Sequence, residues 1–299
     1  MKKIVLIFTF MLLLPASAFA GRYSMGVDAW VVFWDSAIGS VISDNLDGFI
    51  QQELDAQVGV TIDSHTISTD GKAGKGLMMG PSLTWETNDR TWAVSVAGMC
   101  SAIISQKIDS SGSARSGMLY IPLTVTSDIQ LTRMEIQTEG RYRFLKYFSA
   151  FAGYQYMYYN IDAKFKGGVA ALYTTSTREA TVTSNIHFPL AGVGVEYPVF
   201  SWLTLGLDIA SGYMFADAEA EFDGSKGDID IEPKMGMMAA LKGVWKVSKT
   251  FEITFGYRFQ YLSFDMTSDV DLDADTVTPD KTSKKETFHG IVFGGRYRF

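Results

Sequence analysis

The sequence predicts an all-β protein that forms a single closed antiparallel β-barrel across a membrane. Three observations support this fold class: an N-terminal export signal, apolar residues at every second position in many segments, and the lack of an apolar run of about 18 residues after that signal. The chain of 299 residues has 20% charged residues and a formal charge of −7, and it contains no basic run. This charge balance argues against nucleic acid as a partner.

Residues 1–20 have the features of a cleaved Sec signal peptide. A lysine pair near the start precedes an apolar stretch, and Ala18-Phe19-Ala20 supplies the small residues of a cleavage site. The apolar stretch is shorter than the roughly 20 residues of a membrane-spanning helix, which disfavours a retained anchor. We therefore predict that residues 21–299 form the mature barrel domain.

The segment 251–262 shows the alternation most clearly. Its odd positions carry large apolar residues, all of them aromatic except Ile253, whereas its even positions include Glu252 and Arg258. Because side chains alternate between the two faces of a strand, one face is apolar and the other is charged. A strand that faces lipid on one side and a polar lumen on the other has this pattern.

Ten segments with this alternation are predicted as strands, and short turns alternate with long polar connections between them. The predicted strands are 22–34, 77–87, 91–105, 129–144, 147–162, 187–199, 202–217, 234–247, 250–265 and 286–299. The predicted long connections are 36–75, 107–127, 164–185, 218–232 and 266–285. Long connections on one rim and short turns on the other predict extracellular loops and periplasmic turns, respectively.

Two features of the first long connection leave alternatives open. Residues 53–63 also alternate, so a barrel of twelve strands is possible. The whole connection, 36–75, is long enough to fold back into the barrel as a plug.

The chain ends in a strand with aromatic residues on one face, namely Phe293, Tyr297 and Phe299. This strand resembles the C-terminal insertion signal of bacterial outer-membrane β-barrels. The resemblance implies a Gram-negative outer membrane as the location, with its lipid and lipopolysaccharide as neighbours, and the barrel-assembly machinery as a partner. The organisation is similar to that of small OmpA-, OmpX- and OmpW-like barrels and porin-like proteins, although ten strands exceed the roughly eight of the small barrels. A monomer is expected, because closure removes free sheet edges.

The inward face is predicted to carry acids and bases in similar number. The candidates for lining the lumen are Asp28, Glu135, Glu139, Arg141, Arg143, Glu196, Asp208, Lys242, Glu252, Arg258 and Arg296. A barrel of about eight strands is filled by side chains, whereas about 16 to 18 strands leave a channel. Ten strands therefore favour a lumen closed by ion pairs, because an unpaired buried charge costs several kcal/mol.

These observations predict a structural or surface-interaction role with a largely plugged lumen. A narrow porin or channel for small solutes or ions is the alternative, and a hydrolase at the outer rim is a third reading. Asp63-Ser64-His65 and Asp228-Ile229-Asp230 resemble the Asp–His pair and paired carboxylates of the omptin proteases, but their order is reversed and the surrounding motifs differ. We therefore predict no catalytic residues.

No cofactor or metal is predicted either. Residues 269–280 contain four aspartates at alternate positions, which an extended backbone would place on one side, where Ca²⁺ could bridge them. The run lacks the Gly and the terminal Glu of an EF-hand loop, so a solvated acidic loop is favoured. The single cysteine, Cys100, excludes an internal disulfide, and it falls on the predicted outward face.

Overall fold

The computed structural model describes residues 21–35, 64–71, 74–116, 119–169, 174–222, 225–232, 234–268 and 282–299. The strands within these ranges form one antiparallel sheet. They are β1 (Gly21–Asp35), β2 (Ser64–Gly71), β3 (Gly74–Thr87), β4 (Trp92–Ser101), β5 (Ile104–Ser116), β6 (Leu119–Arg143), β7 (Phe148–Val169), β8 (Thr174–Phe200), β9 (Leu203–Phe222), β10 (Ser225–Glu232), β11 (Lys234–Lys246), β12 (Phe251–Ser268) and β13 (Thr282–Arg298). The described part of the chain contains no helix that is long and apolar enough to cross a membrane.

Ten of the strands close into a barrel, as the sequence predicts, and three further strands extend it at one end. The first strand, β1, closes the sheet by pairing with β13 on one side and β3 on the other. The extending strands are β2, β5 and β10: β2 pairs with β5, β5 pairs with β6, and β10 lies between β9 and β12. The fold class is therefore confirmed as a closed antiparallel barrel.

The pairing register fixes the tilt of the strands. A path that starts at Thr287 on β13 and passes from each residue to its paired residue on the next strand reaches Tyr23 on β1. The carbonyl of Tyr23 accepts a hydrogen bond from the amide of Phe299. The path therefore returns to β13 twelve residues beyond its start. A stagger of twelve residues over ten strands corresponds to a tilt of about 40°. Each residue then advances about 2.5 Å along the barrel axis.

The short turns lie where the sequence predicts them, at 88–91, 144–147, 201–202 and 247–250. In the first turn, Asp89 accepts hydrogen bonds from the Thr87 hydroxyl (2.5 Å) and from the amide (3.0 Å) and hydroxyl (2.8 Å) of Thr91. These hydrogen bonds lower the pKa of Asp89 to about 2, and the hydrogen bond from the Thr87 hydroxyl contributes most.

The opposite rim differs from the prediction. The segments predicted as the connections 107–127, 164–185 and 218–232 are largely strand. For example, β7 and β8 stay paired without interruption from Phe148 and Val195 up to Val169 and Thr174. The prediction ended each strand where its outward face became polar. Backbone pairing nevertheless continues, because a polar outward face suits a strand that has left the lipid.

The first long connection is described only in part. Residues 64–71 form β2 in the wall of the extension, paired with β5, and residues 74–75 begin β3. This part of the predicted plug therefore belongs to the barrel wall and does not fill the lumen. Residues 36–63, which include the alternating segment 53–63, lie outside the described residues, as do the signal peptide and the acidic segment 269–280.

The outward face carries an apolar band between two aromatic girdles. The lower girdle follows the short turns, and its rings contact one another in the pairs Trp92–Tyr142, Tyr147–Tyr197, Phe200–Trp202, Trp202–Trp245 and Tyr297–Phe299. The upper girdle includes Phe33, Tyr154, Tyr156, His187, Tyr257 and His289. With the strand tilt given above, the girdles lie about 25 Å apart, which is the height of the apolar band of an outer-membrane barrel.

Candidate functional site in the barrel interior

The interior has three regions that differ in polarity. The lower network lies at the level of the membrane and comprises Asp28, Glu86, Glu139, Arg141, Arg143, Glu196, Asp208, Lys242, Glu252, Arg296 and Arg298. The arginine triad above it comprises Arg133, Glu135 and Arg258. The upper cluster is apolar and comprises Trp34, Ile104, Ile129, Leu131, Ile161, Phe188, Leu262, Phe264 and Phe288.

Arg141 is the centre of the lower network. Its guanidinium makes a bidentate pair with Asp208 (2.8 and 2.9 Å) and also binds Glu139 (2.9 Å). Because β6 and β9 are separated by β7 and β8, the Arg141–Asp208 pair spans the inside of the barrel. A Cβ at Gly194 would lie 2.3 Å from Asp208 Oδ1 and 2.7 Å from Arg141 Nη1, so only glycine leaves room for this pair.

The remaining charges of the lower network are also paired. Lys242 Nζ lies 3.0 Å from Asp208 Oδ2 and 2.9 Å from Glu196 Oε1, and Arg143 binds the other oxygen of Glu196 at 2.9 Å. Nearer the chain terminus, Arg298 binds Glu252 (3.0 Å), and Arg296 lies 3.7 Å from Asp28. Acids and bases in this network therefore compensate one another across and along the wall.

The arginine triad joins opposite walls of the barrel. Glu135 on β6 binds Arg133 of its own strand (2.8 Å) with one oxygen and Arg258 of β12 (2.6 Å) with the other. β6 and β12 lie five strands apart in either direction round the ten-stranded barrel, so this contact crosses its full width. Arg133 also donates to Gln260 (2.5 Å), which in turn donates to Gln155 of β7 (3.2 Å).

Aromatic rings surround the two guanidinium groups of the triad. The Arg133 guanidinium lies over Phe288 (4.2 Å from carbon Cζ to the ring centroid), Tyr159 (5.3 Å) and Trp30 (5.4 Å). The Arg258 guanidinium lies over the same Trp30 ring at 4.7 Å. Cation–π contacts contribute about 0.5–1 kcal/mol at exposed sites and about 2 kcal/mol or more where water is excluded.

Above the triad, the polarity of the two strand faces is reversed. On β7, Ile161 and Ala163 are buried on the inward face, whereas Asp162 and Lys164 lie on the outward face. Lys164 pairs with Glu179 (2.7 Å), and this hydrogen bond raises the pKa of Lys164. The apolar faces meet inside the barrel, where the ring centroids of Tyr159 on β7 and Phe288 on β13 lie 5.7 Å apart.

The structure places every predicted lumen residue on the inward side, in the lower network or the triad. Glu86 and Arg298, which the alternation also directs inward, belong with them. Arg133 was not among the candidates, and neither was the upper cluster. The alternation of side chains could have identified Arg133 as an inward residue, because Arg133 lies two residues from Glu135 and therefore on the same face of the strand. The aromatic residues of the C-terminal strand lie outward, with Phe293, Tyr297 and Phe299 exposed by 48%, 49% and 70%.

The residue pairs considered for catalysis lie on separate parts of the extension. Ser64 and His65 belong to β2, which pairs with β5, whereas Asp228 belongs to β10, which pairs with β9 and β12. Asp63 lies outside the described residues. The absence of catalytic residues stays a prediction. No group of three or more His, Cys, Asp or Glu side chains suited to a metal occurs in the part of the chain that the structure describes.

The fold is similar to that of solved outer-membrane barrels. The outer membrane protease OmpT from Escherichia coli superposes with a TM-score of 0.60 at 11% sequence identity, over 93% of this chain and 97% of that one. The translocator domain of the autotransporter NalP from Neisseria meningitidis gives a TM-score of 0.34 at 12% identity, over 100% of this chain and 95% of that one.

The attachment invasion locus protein Ail of Yersinia pestis gives a TM-score of 0.31 at 10% identity, over 94% of this chain and 100% of that one. No family model and no curated protein sequence matches the chain. The similarity to OmpT carries the fold assignment, and at this identity it carries nothing more. The chain has the fold of the Gram-negative outer-membrane β-barrels, and its apolar exterior band fits it to that membrane.

Proposed function

We propose that this outer-membrane barrel is a closed scaffold that projects from the cell surface and serves a structural or surface-interaction role. The observation that carries the proposal is contact between side chains from opposite walls at the level of the triad and the upper cluster. Gln260 of β12 contacts Arg133 of β6 and Gln155 of β7, and Phe288 of β13 contacts Tyr159 of β7 (5.7 Å between ring centroids).

Closure of the lumen follows from the chemistry of these layers. A hydrated ion that entered from the lower network would have to displace Arg133, which has no exposed surface, and then pass among fully buried Trp34 and Phe288. Large apolar side chains packed in a barrel interior leave no hydrogen-bonding partners for the ion or its water shell. These two layers would therefore stop both ions and small polar solutes.

The surface-interaction role rests on the height of the barrel above the lipid. β7 has 22 residues, and at about 2.5 Å per residue it rises about 55 Å, of which the apolar band accounts for about 25 Å. The outward face of the projecting part carries charges of both signs on β6 to β10. They include Asp128, Asp162, Lys164, Lys166, Glu179, Asp217, Glu219, Glu221 and Lys226. A rigid polar surface held well clear of the lipid suits contact with an extracellular partner.

We further propose a monomer that is inserted by the barrel-assembly machinery through its C-terminal strand and packs against lipid and lipopolysaccharide. The exposed aromatic face of β13, with Phe293 and Tyr297, supports insertion through the C-terminal strand. The pairing of β1 with β13 supports the monomer, because it leaves neither terminal strand with a free edge.

Single-channel recording of the mature protein in a planar bilayer tests the closed lumen. We expect no steady openings from the wild-type barrel, and conductance from an Arg133→Ala/Trp34→Ala/Phe288→Ala variant, which removes a side chain of the triad and two rings of the upper cluster. Ile291→Ala/Phe293→Ala, on the outward face, is the matched control and should stay silent. Reproducible openings of the wild-type protein would contradict the proposal and favour the narrow channel.

Trimming the projecting part tests the surface role. Replacing residues 165–178 by Asn-Gly joins Lys164 to Glu179, which already face each other as a cross-strand pair, through a two-residue hairpin. We expect the trimmed barrel to insert normally. Cells that display it should lose their adhesion to host-cell and abiotic surfaces. Adhesion of wild-type cells no stronger than that of cells without the protein would contradict a role in attachment.

A further inference from the structure

The outward wall of β7 and β8 changes its chemistry just above the upper girdle. Three cross-strand pairs form an amide face there, namely Tyr158–Asn185, Asn160–Thr183 and Asp162–Thr181. All six side chains are half-buried. Because a strand turns every second residue to the same side, the six lie together on the outside of the barrel.

Hydrogen bonds between the two strands hold the upper part of the amide face in place. The carboxylate of Asp162 accepts one from the amide nitrogen of Asn160 (3.1 Å) and one from the hydroxyl of Thr181 (3.0 Å). The hydroxyl of Thr183 donates to Oδ1 of Asn160 (3.2 Å). Side chains that are already ordered lose less conformational entropy when a ligand binds.

The amide face keeps both donors and acceptors for a ligand. The Tyr156 hydroxyl donates to Oδ1 of Asn185 (2.6 Å), and within the described ranges no group accepts from the amide nitrogen of Asn185. The amide nitrogen of Asn160 has a second hydrogen, and the hydroxyl oxygens of Thr181 and Thr183 keep lone pairs. Donors and acceptors are therefore interspersed, about 5 Å apart across the strands and about 7 Å apart along them.

These groups suit a neutral, hydroxyl-rich ligand better than a charged one. The next cation on this side of β7, Lys164, binds Glu179 (2.7 Å) and lies opposite Asp128 of β6, so it is not free to bind a phosphate. The hydroxyl of a sugar both donates and accepts, which matches the mixed groups of the face. The ring of Tyr158 adds apolar surface against which the C–H side of a sugar ring can pack.

The neighbouring strand has a different surface at the same level. Asp217 and Glu219 of β9 lie opposite Asn185 and Thr183, and both carboxylates are exposed. Glu219 also lies opposite Asp228 of β10. Contact with water alone is satisfied by such charged residues, so it does not account for the amides and the tyrosine on β7 and β8.

The height of the amide face indicates which sugars it meets. Asp162 lies six residues above Tyr156 of the upper girdle, a rise of about 15 Å at about 2.5 Å per residue. The face therefore continues the lipid-contacting wall upward into the layer where the sugars of lipopolysaccharide stand. It is directed along the membrane, whereas a partner on another cell would first meet the rim.

We infer that the amide face binds the neutral core sugars of lipopolysaccharide in the surrounding leaflet. Asn160 and Asn185 donate to sugar hydroxyls, the threonine hydroxyls accept from them, and Tyr158 packs against a sugar ring. The inference rests on the proposed packing of the barrel against lipopolysaccharide, and it adds the part of that molecule which is recognised.

Saturation-transfer NMR with core oligosaccharide tests the inference. The probe is the oligosaccharide that mild acid releases from lipopolysaccharide without lipid A, and the mature barrel is held in phospholipid nanodiscs. Saturation should pass from the wild-type barrel to the sugar protons. Asn160→Ala/Asn185→Ala should weaken binding by about tenfold, which corresponds to about 1.4 kcal/mol.

A matched control lies on the next strand. Asp217→Ala/Glu219→Ala changes two outward residues at the same level of β9 and should leave the dissociation constant within about twofold of wild type. Heat-modifiable migration on gels checks that each variant is folded. Tyr158→Leu, which keeps apolar bulk but removes the ring, gives a second test if the double amide variant does not fold, and it should also weaken binding.

Four outcomes would overturn the inference. They are no transfer from the wild-type barrel, binding that the folded amide-face variants retain, an equal loss in the β9 control, or stronger transfer to a host-cell glycan than to the core oligosaccharide. The proposed packing has a separate readout, the Tm of the wild-type barrel with truncated lipopolysaccharide that lacks these sugars. A higher Tm than in phospholipid alone, without binding of the oligosaccharide, would support the packing and refute the inference.

Discussion

The lower and upper halves of this barrel use the same strands with opposite polarity. On β9, Leu207 and Ile209 face outward while Asp208 faces the lumen; farther up the same strand, Asp217 and Glu219 face outward while Ala218 is buried inside. The reversal lies near the upper aromatic girdle. It shows that the solvent outside the wall decides which face of a strand is apolar, since lipid surrounds the lower half and water the upper half.

The two halves consequently have different kinds of core. The lower half has a polar core, in which charges such as Arg141 and Asp208 compensate one another. The upper half has an apolar core like that of a water-soluble barrel, built around residues such as Ile161 and Phe288. The arginine triad lies where the two cores meet, which explains why its guanidinium groups have carboxylate on one side and aromatic rings on the other.

The largest effect is expected from a charge placed in the upper core. Ile161→Asp buries an unpaired carboxylate among apolar side chains and should destabilise the barrel by about 4 kcal/mol or prevent its assembly. Asp162→Asn, one residue away on the outward face, should change stability by less than about 1 kcal/mol. Urea unfolding of the barrel in lipid vesicles measures both. Equal effects of the two variants would mean that the upper interior is hydrated.

A smaller effect is expected in the lower core when one partner of a pair is removed. Arg141→Ala leaves Asp208 and Glu139 without their main cation and should cost about 3 kcal/mol. The double variant Arg141→Leu/Asp208→Leu removes the strongest pair as a unit, and it should recover part of this loss. The same urea titration checks the cycle. The single variants Arg141→Leu and Asp208→Leu complete the cycle, and a loss in the double variant equal to the sum of the two single losses would show that the pair is not coupled.

Outward substitutions on one strand should locate the edge of the lipid. Ile209→Arg puts a charge into the apolar band and should cost about 2–4 kcal/mol, whereas Asp217→Arg, above the upper girdle, should cost less than about 0.5 kcal/mol. Folding into bilayers, followed by heat-modifiable migration on gels, measures both. A large cost at Asp217 would place the lipid boundary higher than the girdle.

The smallest effect concerns pH at the periplasmic turn. The pKa of Asp89 is lowered to about 2 in the folded protein, from an ordinary value of 3.8. A lowered pKa means that the ionised carboxylate stabilises the turn, fully above about pH 4, and that this stabilisation is lost as the pH falls toward 2. Asp89→Asn should therefore flatten the pH dependence of hydrogen exchange at the amide of Thr91 in this window. An unchanged profile would contradict the role of the carboxylate.

The sequence by itself determined the membrane-spanning half of the molecule. Within the lipid, each strand is apolar on one face for about ten residues, so strands such as 251–262, the four short turns and the inward charges could be read from local alternation. Local turn chemistry sufficed as well, because the hydrogen bonds of Asp89 involve only its near neighbours. These features depend on residues that are close in the chain.

Only the tertiary structure decided the upper half and the partners inside the barrel. Above the girdle, the alternation reverses its phase and the outward residues are polar, so the segments 164–185 and 218–232 resembled loops until their backbone pairing was seen. The partner of Arg141 lies 67 residues away on a strand that is not its neighbour, and Arg258 meets Glu135 across the full width of the barrel. Strand number and stagger set these contacts, because closure of the sheet determines which inward side chains face one another.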